Sequence, residues 1–167
     1  MLNVVLFEPE IPQNTGNIMR TCVATNTHLH LIKPLGFYMD EAHLKRSGVN
    51  YVNECKYTIY ENFDDFLNKN KGEMYYFTRY GKKPHSSFNY TNKENIYLIF
   101  GKESTGIPKE ILKDHLDRCI RIPATSGVRA LNLSNCVAIG IYEVMRQKNY
   151  EGLLQTEPFK GENYLEE

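Results

Sequence analysis

The sequence has no net charge. Its 167 residues carry 20 Lys and Arg against 20 Asp and Glu. No global field therefore draws the chain onto a polyanion, and any nucleic acid must be met by a local patch. No apolar run approaches the roughly 20 residues a membrane helix needs. The opening MLNVVLFEPE has no basic flank and meets an acid at Glu8, so it reads as a first strand and not as a signal peptide. Cytoplasmic residence is the expectation. Cys22, Cys55, Cys119 and Cys136 are widely spaced with no CxxC pair, which argues for buried, reduced thiols and against disulfides. His28 and His30 share a strand face without a third ligand nearby, so no metal is expected. Both read as partly exposed strand residues.

The nucleotide-binding fingerprints are also missing. No GxGxxG follows the first apolar run. Gly101-Lys102-Glu103-Ser104-Thr105-Gly106 departs from a phosphate loop: the Lys follows the first Gly, and an acid stands where phosphate oxygens would come. Ordinary NAD or ATP binding is disfavoured. There are no internal repeats, low-complexity segments or dividing linkers. With 41% hydrophobic and 24% charged residues, the composition fits one globular domain with a single core. Residues 1–155 are expected to form it. Residues 156–167, rich in Glu, read as a solvated acidic tail.

What is present is an alternation of short apolar runs and helical patterns. Leu2–Phe7, Leu29–Ile32, Met74–Thr78, Ile96–Phe100 and Cys119–Ile122 read as strands. Asn14 or Thr15 is placed to cap a helix carrying Ile18, Met19, Cys22 and Val23. Helices are also expected over Asp40–Ser47, Asn62–Asn68, Pro108–Leu112 and Leu133–Arg146. Such alternation implies an α/β fold, a parallel sheet covered by helices on both faces. Ligands collect at the carboxyl ends of such strands. Thr78–His85, Gly101–Pro108 and Ile122–Asn132 would converge there.

The densest polar stretch lies between the last strand and the last helix. Ser126, Gly127, Arg129, Asn132, Ser134 and Asn135 crowd one loop and the helix start. Binding residues favour loops held by a rigid scaffold. Two glycines around an acid at Gly101–Gly106 suit close backbone approach to a ligand. Arg20 presents a forked, permanently charged donor suited to phosphate, although a surface salt bridge is the plainer reading. His85, after Lys82 and Lys83, reads more readily as a solvated turn residue than as a phosphate contact.

In this order, EPEIPQNTGNIMRTC, IFGKESTGIP and IRIPATSGVRALNLSN resemble the three motifs of the SPOUT class of RNA methyltransferases. The nearest likeness is to the short tRNA 2′-O-methyltransferases of the wobble nucleotide, C34 or U34. The resemblance runs to about Tyr150. It implies a C-terminal trefoil knot, a homodimer, tRNA as substrate and S-adenosylmethionine as cofactor. It assigns the cofactor to Phe77, Thr78, Gly101, Glu103, Ile122, Ala130 and Leu131, largely through backbone groups. Arg20 and Asn132 take the catalytic positions, and Arg20, Lys82, Lys83 and Arg129 the RNA contacts. Tyr38, Tyr51 and Tyr80 are candidates to stack on an unpaired base. Many relatives carry Ser where this chain has Ala130, with Ser126 and Ser134 as possible stand-ins. The alternatives are methylation at another RNA site, a non-enzymatic RNA-binding dimer of the same fold, and a small-molecule enzyme on a doubly wound sheet.

Overall fold

The computed structural model describes residues Met1–Glu167. Seven strands form one parallel sheet: β1 (Leu2–Phe7), β2 (His28–Ile32), β3 (Tyr57–Tyr60), β4 (Glu73–Phe77), β5 (Lys83–Pro84), β6 (Ile96–Phe100) and β7 (Cys119–Arg121). Their order across the sheet is β3-β2-β1-β6-β4-β7-β5. Every pairing is parallel. Four α-helices lie between strands, α1 (Pro12–Ala24), α2 (Glu41–Arg46), α3 (Phe63–Lys69) and α4 (Lys109–Leu112), and a fifth, α5 (Leu133–Gln147), follows β7.

All six residues of β1 are buried, which fits a central strand covered on both faces. Its alternate side chains feed two separate cores. Val4 and Leu6 join Ile18, Met19 and Cys22 of α1 and Val137, Ile141 and Val144 of α5. Val5 and Phe7 join Phe66 of α3 and Leu112 of α4 on the opposite face. Each fully buried side chain of this size contributes about 1.5–3 kcal/mol by leaving water.

The expected strands and helices are all present, with ends shifted by a residue or two. Two strands escape the sequence reading. β3 has mostly half-exposed residues, so it lacks the apolar run of a central strand. β5 is two residues long and exposed. The start of α1 also differs. Neither Asn14 nor Thr15 is the N-cap; Ile11 takes that place without a side-chain cap, and both polar residues are buried.

His30 requires a second correction, because it is only 4% exposed. Its Nε2 faces Asn3 Oδ1 at 2.9 Å and its Nδ1 faces Tyr60 Oη at 2.8 Å. Asn3 spends its amide hydrogens on the carbonyls of Met1 and Ile96, so its oxygen faces the imidazole and Nε2 donates. Nδ1 then accepts from the Tyr60 hydroxyl, which in turn accepts from Asn70 Nδ2 at 3.1 Å. Burial, and secondarily the neighbouring His28, pushes the His30 pKa down to about 3. The folded protein thus holds His30 neutral, while the unfolded chain protonates it below about pH 6.5. Stability from this group is complete above that pH and is lost as pH falls toward 3, by about 1.4 kcal/mol per unit. Urea unfolding should report a loss of about 2 kcal/mol between pH 7 and pH 5. His30→Gln should flatten that slope whatever its own stability; an unchanged slope would assign the acid sensitivity elsewhere.

Candidate functional site

The strand order reverses between β1 and β6, and ligand crevices form at such switch points. A cleft of about 600 Å³ opens at the carboxyl ends of β4, β6 and β7. Its walls overlap the three segments expected from sequence: residues 77–80 at the first, residues 100–107 at the second, and Ile120, Arg121, Ile122, Ala124 and residues 129–133 around the third, with Ile11 and Asn14 from the start of α1. Lys82, Lys83 and His85 of the first expected segment do not line it. The rings of Phe77 and Phe100 stack with centroids 4.4 Å apart and form an apolar floor. Gly140 of α5 lets them lie there. A Cβ at that position would stand 3.0 Å from Phe77 and 3.3 Å from Phe100.

Polar contacts stitch the walls together. The Glu103 carboxylate accepts from the amides of Glu10 (3.0 Å) and Ile11 (2.6 Å) and from Asn14 Nδ2 (3.4 Å). It supplies the anionic cap that α1 lacks locally, where free amides and the helix dipole favour negative charge. In return, Glu10 accepts from the amide and hydroxyl of Ser104 at 2.9 and 2.6 Å. These bonds hold the Glu10 carboxyl below its ordinary range. Lys102 pairs with Glu8 at 3.4 Å. Asn14 Oδ1 accepts from Asn132 Nδ2 at 3.1 Å. Asn132 Oδ1 caps α5, accepting from the amides of Ser134 and Asn135 and from the Ser134 hydroxyl.

These contacts locate each candidate residue. Phe77, Thr78, Gly101, Glu103, Ile122, Ala130, Leu131, Asn132 and Arg129 all line the cleft. Both Glu103 oxygens, however, are engaged by the start of α1, and the polar groups of Asn132 by Asn14 and α5. Ser134 is likewise committed to the cap. Gly101 is needed for a different reason than ligand approach. A Cβ there would sit 2.1–2.4 Å from the backbone of Gly106 and Ile107. The glycine therefore allows the 101–107 turn to close on itself, and Gly106, at φ +73°, completes it.

Arg20 lies outside the cleft lining. It is exposed on α1, with its guanidinium 5.4 Å from the centroid of Tyr51 and no acidic partner. Lys82 and Lys83 are exposed around β5, and Lys83 sits over the Phe88 ring. Tyr38 and Tyr80 are both 72% exposed. Three cysteines are buried as free thiols, but Cys136 is half-buried and borders the cleft. No group of three His, Cys, Asp or Glu is placed to hold a metal ion. No helix is long and apolar enough to cross a membrane. Sequence reasoning missed Arg79 and Arg121, which line the cleft mouth; their only signal was position, at the ends of β4 and β7.

Comparison with known proteins gives a consistent picture. The model of the SpoU rRNA Methylase family matches residues 1–142. An Escherichia coli protein named tRNA (cytidine(34)-2′-O)-methyltransferase is 42% identical over 91% of this chain and 97% of its own. A Bacillus anthracis crystal structure at 51% identity superposes with a TM-score of 0.88, covering 93% of this chain and 99% of that one. A structure described as giving insight into 2-OH methylation of C/U34 on tRNA reaches 0.81 at 37% identity, covering 89% and 91%.

Two substitutions test the stitching. Glu103→Ala leaves the α1 amides without their acceptor and should lower unfolding stability by about 2 kcal/mol. Gly101→Ala adds only a Cβ, but against backbone that has no rotamer to yield, and should cost at least about 2–3 kcal/mol. Denaturant melts of both variants check this. Wild-type stability in Gly101→Ala would mean the turn can open at no cost.

Proposed function

This chain belongs to the SpoU rRNA methylase family, and from that premise we propose that it methylates the ribose 2′-hydroxyl of nucleotide 34 of tRNA, using S-adenosylmethionine. The observation that carries the reading is the cleft beside the switch point, where the motif segments after β6 and β7 meet Ile11 and Asn14 of the first motif and the end of β4. The cleft fits the cofactor. At about 600 Å³ it lies within the range of small-molecule sites, and its apolar floor and glycine-turned walls expose backbone where a dinucleotide fold would offer a phosphate loop. Phe77–Thr78, Gly101 and Ile122 through Leu131 would hold the ligand, mainly through main-chain groups. When bound, S-adenosylmethionine supplies an electrophilic methyl on a sulfonium.

The protein's own contribution is alignment and exclusion of water, and orientation alone supplies several kcal/mol of such a barrier. The buried Phe77–Phe100 floor keeps the pocket dry. Arg20 orients a substrate phosphate. Its permanent charge makes it a poor base, so the hydroxyl proton passes to a phosphate oxygen or to water. Arg20 stands off the cleft of its own subunit. The proposal therefore includes a homodimer in which Arg20 serves the cleft of the partner. Exposed apolar side chains support it: α1 and α5 pack on each other, and Val23 and Tyr142 remain 36% and 44% exposed on these two helices.

The same reading includes a C-terminal trefoil knot. After β7, on the far side of β4, the chain turns back so that α5 packs against β6 and α1 at the sheet centre. Lys82, Lys83 and Arg129 take the RNA backbone, and the cytoplasm is the place of action.

Three measurements test these points. Methyl transfer from labelled S-adenosylmethionine to bulk tRNA should map to nucleotide 34; label elsewhere would move the substrate site, and no label would sink the activity. Arg20→Ala should lose methyl transfer while S-adenosylhomocysteine affinity, by calorimetry, stays at the wild-type value. Arg20→Lys should recover part, because an ammonium lacks the forked contact; full activity in Arg20→Ala would remove Arg20 from the site. Sedimentation at micromolar concentration should give a dimer, and a monomer would leave Arg20 without a cleft to serve.

A further inference from the structure

A second cavity of about 330 Å³ adjoins the cleft and shares Arg79, Tyr80, Arg121 and Arg129 with it. Thr125 and Ser126 add hydroxyls, and no acidic residue lines it. In a chain with no net charge, three guanidiniums gather here, and none makes an ion pair. Arg121 is held in place: its Nη1 donates to the Arg79 carbonyl at 2.6 Å. The Arg79 guanidinium lies 5.2 Å from the Tyr80 ring centroid, and that ring is 72% exposed. Uncompensated like charges repel, so folding them together without a carboxylate is a cost. An anionic ligand would offset it.

The geometry points to a subsite for a nucleotide adjoining the methylated one, with Arg79 and Arg121 on its phosphate and Tyr80 stacked on its base. This rests on the proposed function and deepens it. Cation and aromatic face together are what a single-stranded nucleotide requires. Continuity with the cleft suits one strand occupying both cavities. The subsite adds Arg79 and Arg121 to the residues that read the RNA, and it locates that reading on the loops after β4 and β7.

The test measures binding of a labelled anticodon-arm RNA by fluorescence anisotropy across a salt series, with no turnover required. Arg79→Ala should weaken binding about tenfold and lower the slope of log affinity against log salt by about 0.7, the share of one single-strand phosphate. Tyr80→Ala should weaken binding about tenfold with the slope unchanged, as expected for lost stacking. The thermal midpoint should stay at the wild-type value in both. Wild-type RNA affinity and slope in both variants would overturn the subsite. So would an Arg79-dependent affinity for inorganic phosphate in variants that bind RNA normally, because the cavity would then serve free phosphate. If the wild type methylates no tRNA, the proposed function fails, while the anisotropy series still decides the subsite.

Discussion

One carboxylate organises this molecule. Glu103 follows β6 near the centre of the sheet, and its oxygens take the amides at the start of α1. The interaction crosses more than 90 residues of sequence and caps the first helix, which opens on Pro12 but has no side-chain cap of its own. Asn14 passes the constraint to Asn132, and Asn132 passes it to the start of α5. Two helix N-termini and one interstrand turn thus share a single polar chain. The chain lies along the wall of the cleft, so the contacts that make the fold continuous also make the cleft rigid. Charge-assisted bonds of this kind are stronger than neutral ones, and a pre-shaped cleft spares the ligand the entropy of ordering its walls.

The two cavities divide the labour chemically. The larger is framed by strand ends, an aromatic floor and close backbone turns, a setting suited to a small cofactor held by shape. The smaller is framed by loops and guanidiniums, a setting suited to a charged polymer. Both draw on the residues that follow β4 and β7. A parallel sheet places successive strand ends side by side, so two neighbouring loops can serve two ligands that must meet. The overall neutrality of the chain fits this arrangement: attraction to polyanion is confined to the place where it is useful.

Much of the fold could be read in advance, and the reasons are particular. β1 and β6 announced themselves through continuous apolar runs, and α5 through Leu133, Val137, Ile141, Val144 and Met145 at helical spacing. The three loops of the cleft were legible because parallel strands place their carboxyl ends together. β3 was missed because Tyr57–Tyr60 lacks a continuous apolar run. The environment of His30 was misread because its partners, Asn3 and Tyr60, come from flanking strands. Glu103 carried a family position in the sequence, but its local role depends on a helix start far away in the chain. Arg79 and Arg121 drew no attention because, 42 residues apart, they become neighbours only once β4 pairs with β7.

β5 has a further consequence. A parallel sheet ends in two open edges, each a row of unpaired amides and carbonyls ready to accept a strand from another molecule. Here the last strand is Lys83–Pro84. Proline offers no amide to an incoming strand, and a two-residue ladder that starts on Lys83, just after Lys82, gives a newcomer almost nothing to register against. The edge nearest the cleft therefore resists polymerisation. Even at high concentration, these molecules would remain separate along that edge.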